Sequence, residues 1–194
     1  MTKKSVDVTK ITYIALFTAI VAVLQGGLGG AIQFGIFNVT VVLLPIVVGA
    51  ALCGKIAGAW LGFVFSLIVL VSGQATFFLE MNIPGTIITV VLKGTLAGFG
   101  AALTYDLFKK INRFVAVMSA AIVSPIINTG IYLIGCRLFF FDYIKGEALG
   151  KGVSAFGYII FFAVGFNFVF ELLVNVILAP AAVRLIDMKN PSKK

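Results

Sequence analysis

The sequence predicts an all-α membrane protein, a single bundle of six transmembrane helices with both termini on the cytoplasmic side. Three observations lead there. Of the 194 residues, 61% are hydrophobic and 11% are charged, and the mean hydropathy is +1.14, outside the balance of a soluble domain. Apolar runs approach the roughly 20 residues that a bilayer crossing needs, and glycine, proline, asparagine and charge clusters separate them. Finally, lysine and arginine are shared unevenly between alternate breaks, as the positive-inside bias requires.

The first span, near 10–26, follows Lys3, Lys4 and Lys10. Its apolar stretch is long and no convincing A-x-A cleavage site follows, so it reads as a permanent helix rather than a signal peptide. Spans two and three, near 36–53 and 56–73, are joined by a few residues around Gly54 and Lys55. Spans four and five, near 84–107 and 114–136, are joined by "DLFKKINR" from Asp106 to Arg113, and the sixth span lies near 156–185. With the N-terminus inside, Lys3, Lys4, Lys10, Lys55, Lys109, Lys110, Arg113, Arg184, Lys189, Lys193 and Lys194 all face the cytoplasm. Only Arg137, Lys145 and Lys151 fall outside, and Lys93 stays within a span. The net charge of +8 is then mostly a topogenic signal with some attraction to anionic lipid headgroups. It calls for a bilayer and no nucleic acid.

The three external connections run from Gly26 to Gly35, Gly73 to Asn82 and Phe139 to Gly152, and interleave aromatic or amide residues with glycine. Long aromatic connections of this kind read as lids over an outward-facing pocket, with interfacial belts of Phe and Tyr as the plain alternative. No repeat of 20–50 residues and no inverted pair of broken helices is visible, which removes support for a repeat-built secondary transporter.

Enzyme and metal motifs are missing. There is no histidine, no Walker phosphate loop, no Cys-x-x-Cys and no G-x-S-x-G elbow, so no catalytic site, metal or cofactor is expected and any ATP-driven step falls to another chain. Cys53 and Cys136 lie near opposite ends of the bundle on this topology, which rules out a disulfide and makes them packing residues.

The chemistry that remains is polar side chains within spans, where each is costly and turns toward the bundle interior. Asn167, Glu171 and Asn175 recur every four residues in span six, on one helical face. Thr86, Thr89 and Lys93 share a face of span four, and Ser124, Asn128 and Tyr132 repeat the step in span five. Lys93 lies roughly 15 Å from the outer end of its span, where snorkelling is hard. It either pairs with Glu171 or meets an anionic group of a ligand. The candidate binding residues are therefore Lys93, Asn128, Tyr132, Asn167 and Glu171, with Glu80, Asn82 and Arg137 from the external side. Trp60 reads first as an anchor or packing residue. Small residues at four-residue spacing form a second pattern: Gly54, Gly58 and Gly62, then Gly94 and Gly98, then Ala15 and Ala19. Such spacing lets helix backbones approach closely, and internal packing accounts for most instances of it.

Together these features resemble the membrane-embedded substrate-binding S component of energy-coupling factor (ECF) vitamin transporters. The resemblance is carried by Ala15 and Ala19 in the first helix, and by the run from Asn38 to Leu67 with Pro45, Gly49, Gly54, Gly58 and Gly62. It continues through "GTIITVVLKGTLAG" from Gly85 to Gly98 and "FELLVN" leading to "LAP" at Pro180. It covers the chain apart from its tails. What it implies is a six-helix bundle in a bacterial cell membrane that binds one vitamin with high affinity near the outer face, under external loops. It also implies a separate transmembrane coupling subunit driven by two ABC-type ATPases, with Ala15 and Ala19 as the docking surface for that subunit.

On substrate, the runs from Asn38 to Leu67 and Gly85 to Gly98 look nearest to pantothenate-type members, and a small carboxylate suits Lys93 or Arg137. Riboflavin or another B vitamin is the rival, since Phe77, Phe78 and Tyr143 offer faces for a flat ring. Outside this family, an autonomous carrier or channel would line a path with the polar stripes. A membrane enzyme would need Glu171 or Glu80 as acid or base, and lone carboxylates without a His, Asp or metal partner argue against that.

Overall fold

Helix boundaries fall where caps, glycines and prolines put them. The computed structural model describes residues 8–28, 33–34, 37–38, 41–159 and 166–189; Lys3, Lys4, Lys193, Lys194 and parts of the first external connection and of the sixth span lie outside them. Helix α1 (Val8–Val23) runs on into a π-helical turn, Leu24–Leu28. Strands β1 (Gln33–Phe34) and β2 (Phe37–Asn38) pair antiparallel, Gln33 opposite Asn38. Then come α2 (Leu43–Cys53) and α3 (Lys55–Val71), joined at Gly54, whose φ of +88° is open to glycine and costly for other residues.

Helix α4 (Thr76–Met81) leads to α5 (Ile83–Phe108). Asn82 caps α5 by accepting the Gly85 N–H at 2.9 Å, and Pro84 follows in the first turn, where its missing N–H does no harm. Asn112 caps α6 (Arg113–Phe139) in the same way through the Phe114 N–H at 2.7 Å. Helices α7 (Phe141–Gly150) and α8 (Ala155–Tyr158) precede α9 (Phe166–Lys189).

Among the described residues, four helices are long and apolar enough to cross a membrane: Val8–Gly27, Ile83–Phe108, Arg113–Phe139 and Asn167–Met188. Helices α2 and α3 are shorter apolar helices of 11 and 17 residues. Within the second predicted span, near 36–53, the helix runs Leu43–Cys53, and Phe37 and Asn38 pair with the preceding strand. Two of the predicted external loops are largely helical as well. In α7, Ile144 and Ala148 stand one turn apart and both bury against Cys136, Phe140, Tyr158 and Ile159, which holds a helix whose sequence alone looked irregular. Along α5, Ile88, Leu92, Leu96, Phe99 and Leu103 form an exposed apolar stripe, a surface suited to lipid and ill suited to water.

The main core joins Phe17 and Val21 of α1 to Leu43, Ile46 and Val47 of α2, Leu61 and Phe65 of α3, and alanines of α5, α6 and α9. Within it, α3 and α5 meet along glycines. A Cβ on Gly58 or Gly62 would fall well inside contact distance of the Gly98 or Gly94 carbonyl oxygen, and the reverse substitutions would strike Gly58 and Gly62. Here the small-residue spacing is a close backbone approach.

A second device joins α6 and α9. Pro125 lies inside α6 and has no N–H to give the Ala121 carbonyl one turn back. Asn175 of α9, fully buried, donates its Nδ2–H to that carbonyl at 3.3 Å. A neighbouring helix thus satisfies the group that the proline orphans, as a bilayer interior requires. At one end of the bundle Asp106 pairs with Lys55 at 3.9 Å and Lys109 at 2.5 Å, and Arg113 pairs with Asp187.

Candidate functional site

At the opposite end from those ion pairs lies a small cavity. Its floor and one wall come from α5, where Thr86, Thr89, Val90 and Lys93 recur at helical spacing on a single face. Val69 of α3, Gln74 and Ala75 of the following turn, Phe78 of α4, Tyr132 of α6 and Phe140 complete the lining. The caps set this arrangement: Asn82 fixes the first turn of α5, and Thr86 Oγ1 donates to the Asn82 carbonyl at 2.8 Å. Gly135 of α6 has no side chain where Thr89 packs against it, so α5 and α6 come together beneath the cavity.

The lining is mixed in character. Phe78 meets Tyr132, Phe140 and Phe77 edge-on, with ring centroids at 5.7, 5.0 and 5.3 Å. Lys93 Nζ lies 5.9 Å from the Phe65 ring centroid and 5.7 Å from that of Tyr132, which offers it cation–π contacts. Among the described residues Lys93 forms no ion pair, although the Glu171 carboxylate acts on it electrostatically. The direct Lys93–Glu171 salt bridge that the sequence left open is not formed. Thr89 Oγ1 is buried with no hydrogen-bond partner among the described residues. Gln74 is held by Gln25: Gln25 Nε2–H donates to Gln74 Oε1 at 2.7 Å, and Gln74 Nε2–H donates to the Gln25 carbonyl at 3.4 Å.

Of the residues singled out from sequence, Lys93 and Tyr132 line this cavity. Asn128 and Glu171 are buried between helices, and Asn167 is partly buried near the start of α9; none of the three lines it. Glu80 is exposed on α4, Asn82 is the α5 cap, and Arg137 is exposed with its guanidinium 4.3 Å from the Phe141 ring centroid. Ala15 and Ala19 are exposed on α1, while Phe17 and Val21 of the same helix face the core. Trp60 Nε1–H donates to Thr18 Oγ1 at 3.1 Å, tying α3 to α1 beside the alanines. Cys53 and Cys136 are both buried, and no disulfide joins them.

A cavity lined by a cation, several neutral polar groups and an aromatic wall is the equipment of a binder. The sequence profile of the ECF transporter substrate-specific component matches residues 9–183. The chain belongs to that family. This ECF S component is accordingly a substrate-binding subunit of a membrane transporter and not an enzyme, and it works with a small-molecule substrate and an ECF energising module. No curated protein and no solved structure matched the chain.

Gln25 and Gln74 escaped the sequence reading. They are 49 positions apart, and a glutamine at the end of the first predicted span and another in a glycine-rich break carry no pattern that pairs them. Thr86 and Thr89 were visible as a stripe with Lys93, and the helical period that revealed them is the one that now lines the cavity.

Proposed function

We propose that this S component captures a small, carboxylate-bearing B vitamin, pantothenate first among them, in the cavity around Lys93. One observation carries the reading: an ammonium group on the cavity wall has aromatic faces near it and no ion-paired carboxylate among the described residues. In a low-dielectric site such a group is best neutralised by an anionic ligand. Thr86, Thr89, Gln74 and Tyr132 would receive the hydroxyl or amide groups of the same molecule. Asn128 of α6 and Asn167 and Glu171 of α9 would extend the site, and Glu80, Asn82 and Arg137 would shape its external side. The aromatic cluster of Phe78, Tyr132 and Phe140 supports a second reading, a flat-ring vitamin such as riboflavin.

In this reading residues 1–194 form a single six-span domain in the bacterial plasma membrane, with α2 and α3 as the two shorter spans and both termini in the cytoplasm. The exposed Ala15 and Ala19 supply a smooth strip for the transmembrane coupling subunit, which two ABC-type ATPases drive. Detergent-purified protein tested against a vitamin panel should be stabilised by pantothenate, and mass spectrometry of the extracted ligand should find it. A shift with riboflavin alone selects the second reading, and a panel with no stabilising vitamin overturns both. Ala19→Trp should abolish co-purification of the coupling subunit while leaving vitamin binding intact. Uptake into liposomes by this chain alone, without ATP, would instead favour an autonomous carrier.

A further inference from the structure

We infer that Gln25 is a positioning residue of the ligand site: it clamps the Gln74 amide at the cavity wall and so ties the pose of helix α1 to pocket occupancy. The inference rests on the reading of the cavity as the vitamin site. Gln25 does not itself line the cavity, and Gln74 does. The clamp has two points, both from one residue: Gln25 Nε2–H to Gln74 Oε1 at 2.7 Å, and Gln74 Nε2–H to the Gln25 main-chain oxygen at 3.4 Å. A primary amide has two donors and two acceptor lone pairs. With one of each engaged by Gln25, Gln74 keeps one donor and one lone pair in a fixed orientation. Those are the groups that a carboxylate, hydroxyl or amide of a ligand can use at little entropic cost.

Gln25 lies in the π-helical turn Leu24–Leu28 that ends α1, and such turns recur at functional sites because they re-aim the side chains they carry. It is fully buried, 0% exposed, and its Oε1 has no hydrogen-bond partner among the described residues. Stability alone does not favour that burial, since an apolar side chain of equal size would fill the space without an orphaned acceptor. The amide is explained by what it holds. The helix it terminates is the one that carries Ala15 and Ala19 on its exposed face. An ordered Gln74 therefore orders the π turn, and a ligand that engages Gln74 acts on α1 through a single pair of side chains.

Two measurements test this on the full chain. The first is a double-mutant cycle on vitamin affinity with Gln25→Met, Gln74→Met and both, using the vitamin that stabilises the wild type in the panel above. Gln25→Met should weaken binding about tenfold, the effect of one well-made hydrogen bond, while the ligand-free chain melts no lower than the wild type. The double variant should bind no worse than Gln74→Met alone. Unchanged affinity in Gln25→Met, or additive losses, would overturn the positioning role. The second needs no ligand: the chain has three glutamines, Gln25, Gln33 and Gln74, so a glutamine-selective nitrogen-15 sample gives three side-chain amide pairs. Gln25→Met should move the Gln74 amide resonances and speed their hydrogen exchange, leaving Gln33 in place. If the Gln74 amide stays where it was, no clamp exists. If no vitamin binds the wild type, the function reading fails, and the resonance experiment still decides the clamp.

Discussion

Helices α3 and α5 build two adjacent regions by opposite means. Toward the charged end, Gly58 and Gly62 face Gly98 and Gly94, so backbone touches backbone and nothing can be added. Farther along, the same helices present Val69, Thr86, Thr89, Val90 and Lys93 around a small cavity. The seam is specified by shape, and its glycines are irreplaceable because the neighbouring atoms are main chain. The pocket is specified by chemistry, and its lysine and the Thr89 hydroxyl, which has no hydrogen-bond partner among the described residues, are groups that stability alone would not select. Close contact in one region and side chains standing between the backbones in the next are what open a cavity at one end of a helix pair.

Substitutions can break the contrast. The largest effect belongs to Gly62→Ala, whose methyl group would meet the Gly94 carbonyl. Overpacking against main chain should cost about 3 kcal/mol, read as a lowered melting temperature in detergent. Gly130→Ala in α6, where nothing among the described residues lies within 4 Å, is the control and should melt at or above the wild type. Equal melting of both variants would show that the two backbones do not meet so closely.

On the pocket side the pattern should invert. Lys93→Met should lower vitamin affinity by about 2 kcal/mol, or some 30-fold, the worth of hydrogen bonds to a charged group, with no loss of ligand-free stability. A Lys93→Met protein that binds as tightly as the wild type would remove the lysine from the site. Next in size, Asn175→Leu should destabilise the bundle by about 1–2 kcal/mol because the Ala121 carbonyl loses its donor. Pro125→Ala should suppress that loss by restoring the i→i−4 bond within α6. Absence of rescue would mean that Asn175 matters for some other contact. The smallest effect is expected from Trp60→Phe, which removes the bond to Thr18 on a half-exposed side chain and should cost under about 1 kcal/mol in thermal unfolding.

Much of this organisation was legible beforehand, for reasons that differ between residues. Lys93 and the threonines were found because a helix repeats itself, and a polar residue inside an apolar run advertises an interior face. The two four-residue glycine ladders were visible as well, although their spacing could not say that one would lock into the other. Asn82 stood out as a polar residue on the external side, and its work as the α5 cap follows from the Pro84 and apolar run behind it. That Phe37 and Asn38 form a strand ahead of the helix was hidden because hydropathy does not separate a strand from a helix there. Asn175 belonged to a stripe, but its debt to Pro125 appeared only once α6 and α9 were set side by side.

The sequence by itself determined the class of molecule, its apolar helices, their caps and the residues that must face inward. All of these depend on composition and on contacts within about one helical turn, which the chain order states directly. Tertiary structure alone decided which inward residues meet: that Gln25 holds Gln74, that Asn175 serves Pro125, and that Lys93 faces a cavity instead of pairing with Glu171. Those pairings are set by the rotation, depth and crossing of helices packed against one another. A shift of one residue along any helix turns its side chains through about 100°, and no local pattern records it.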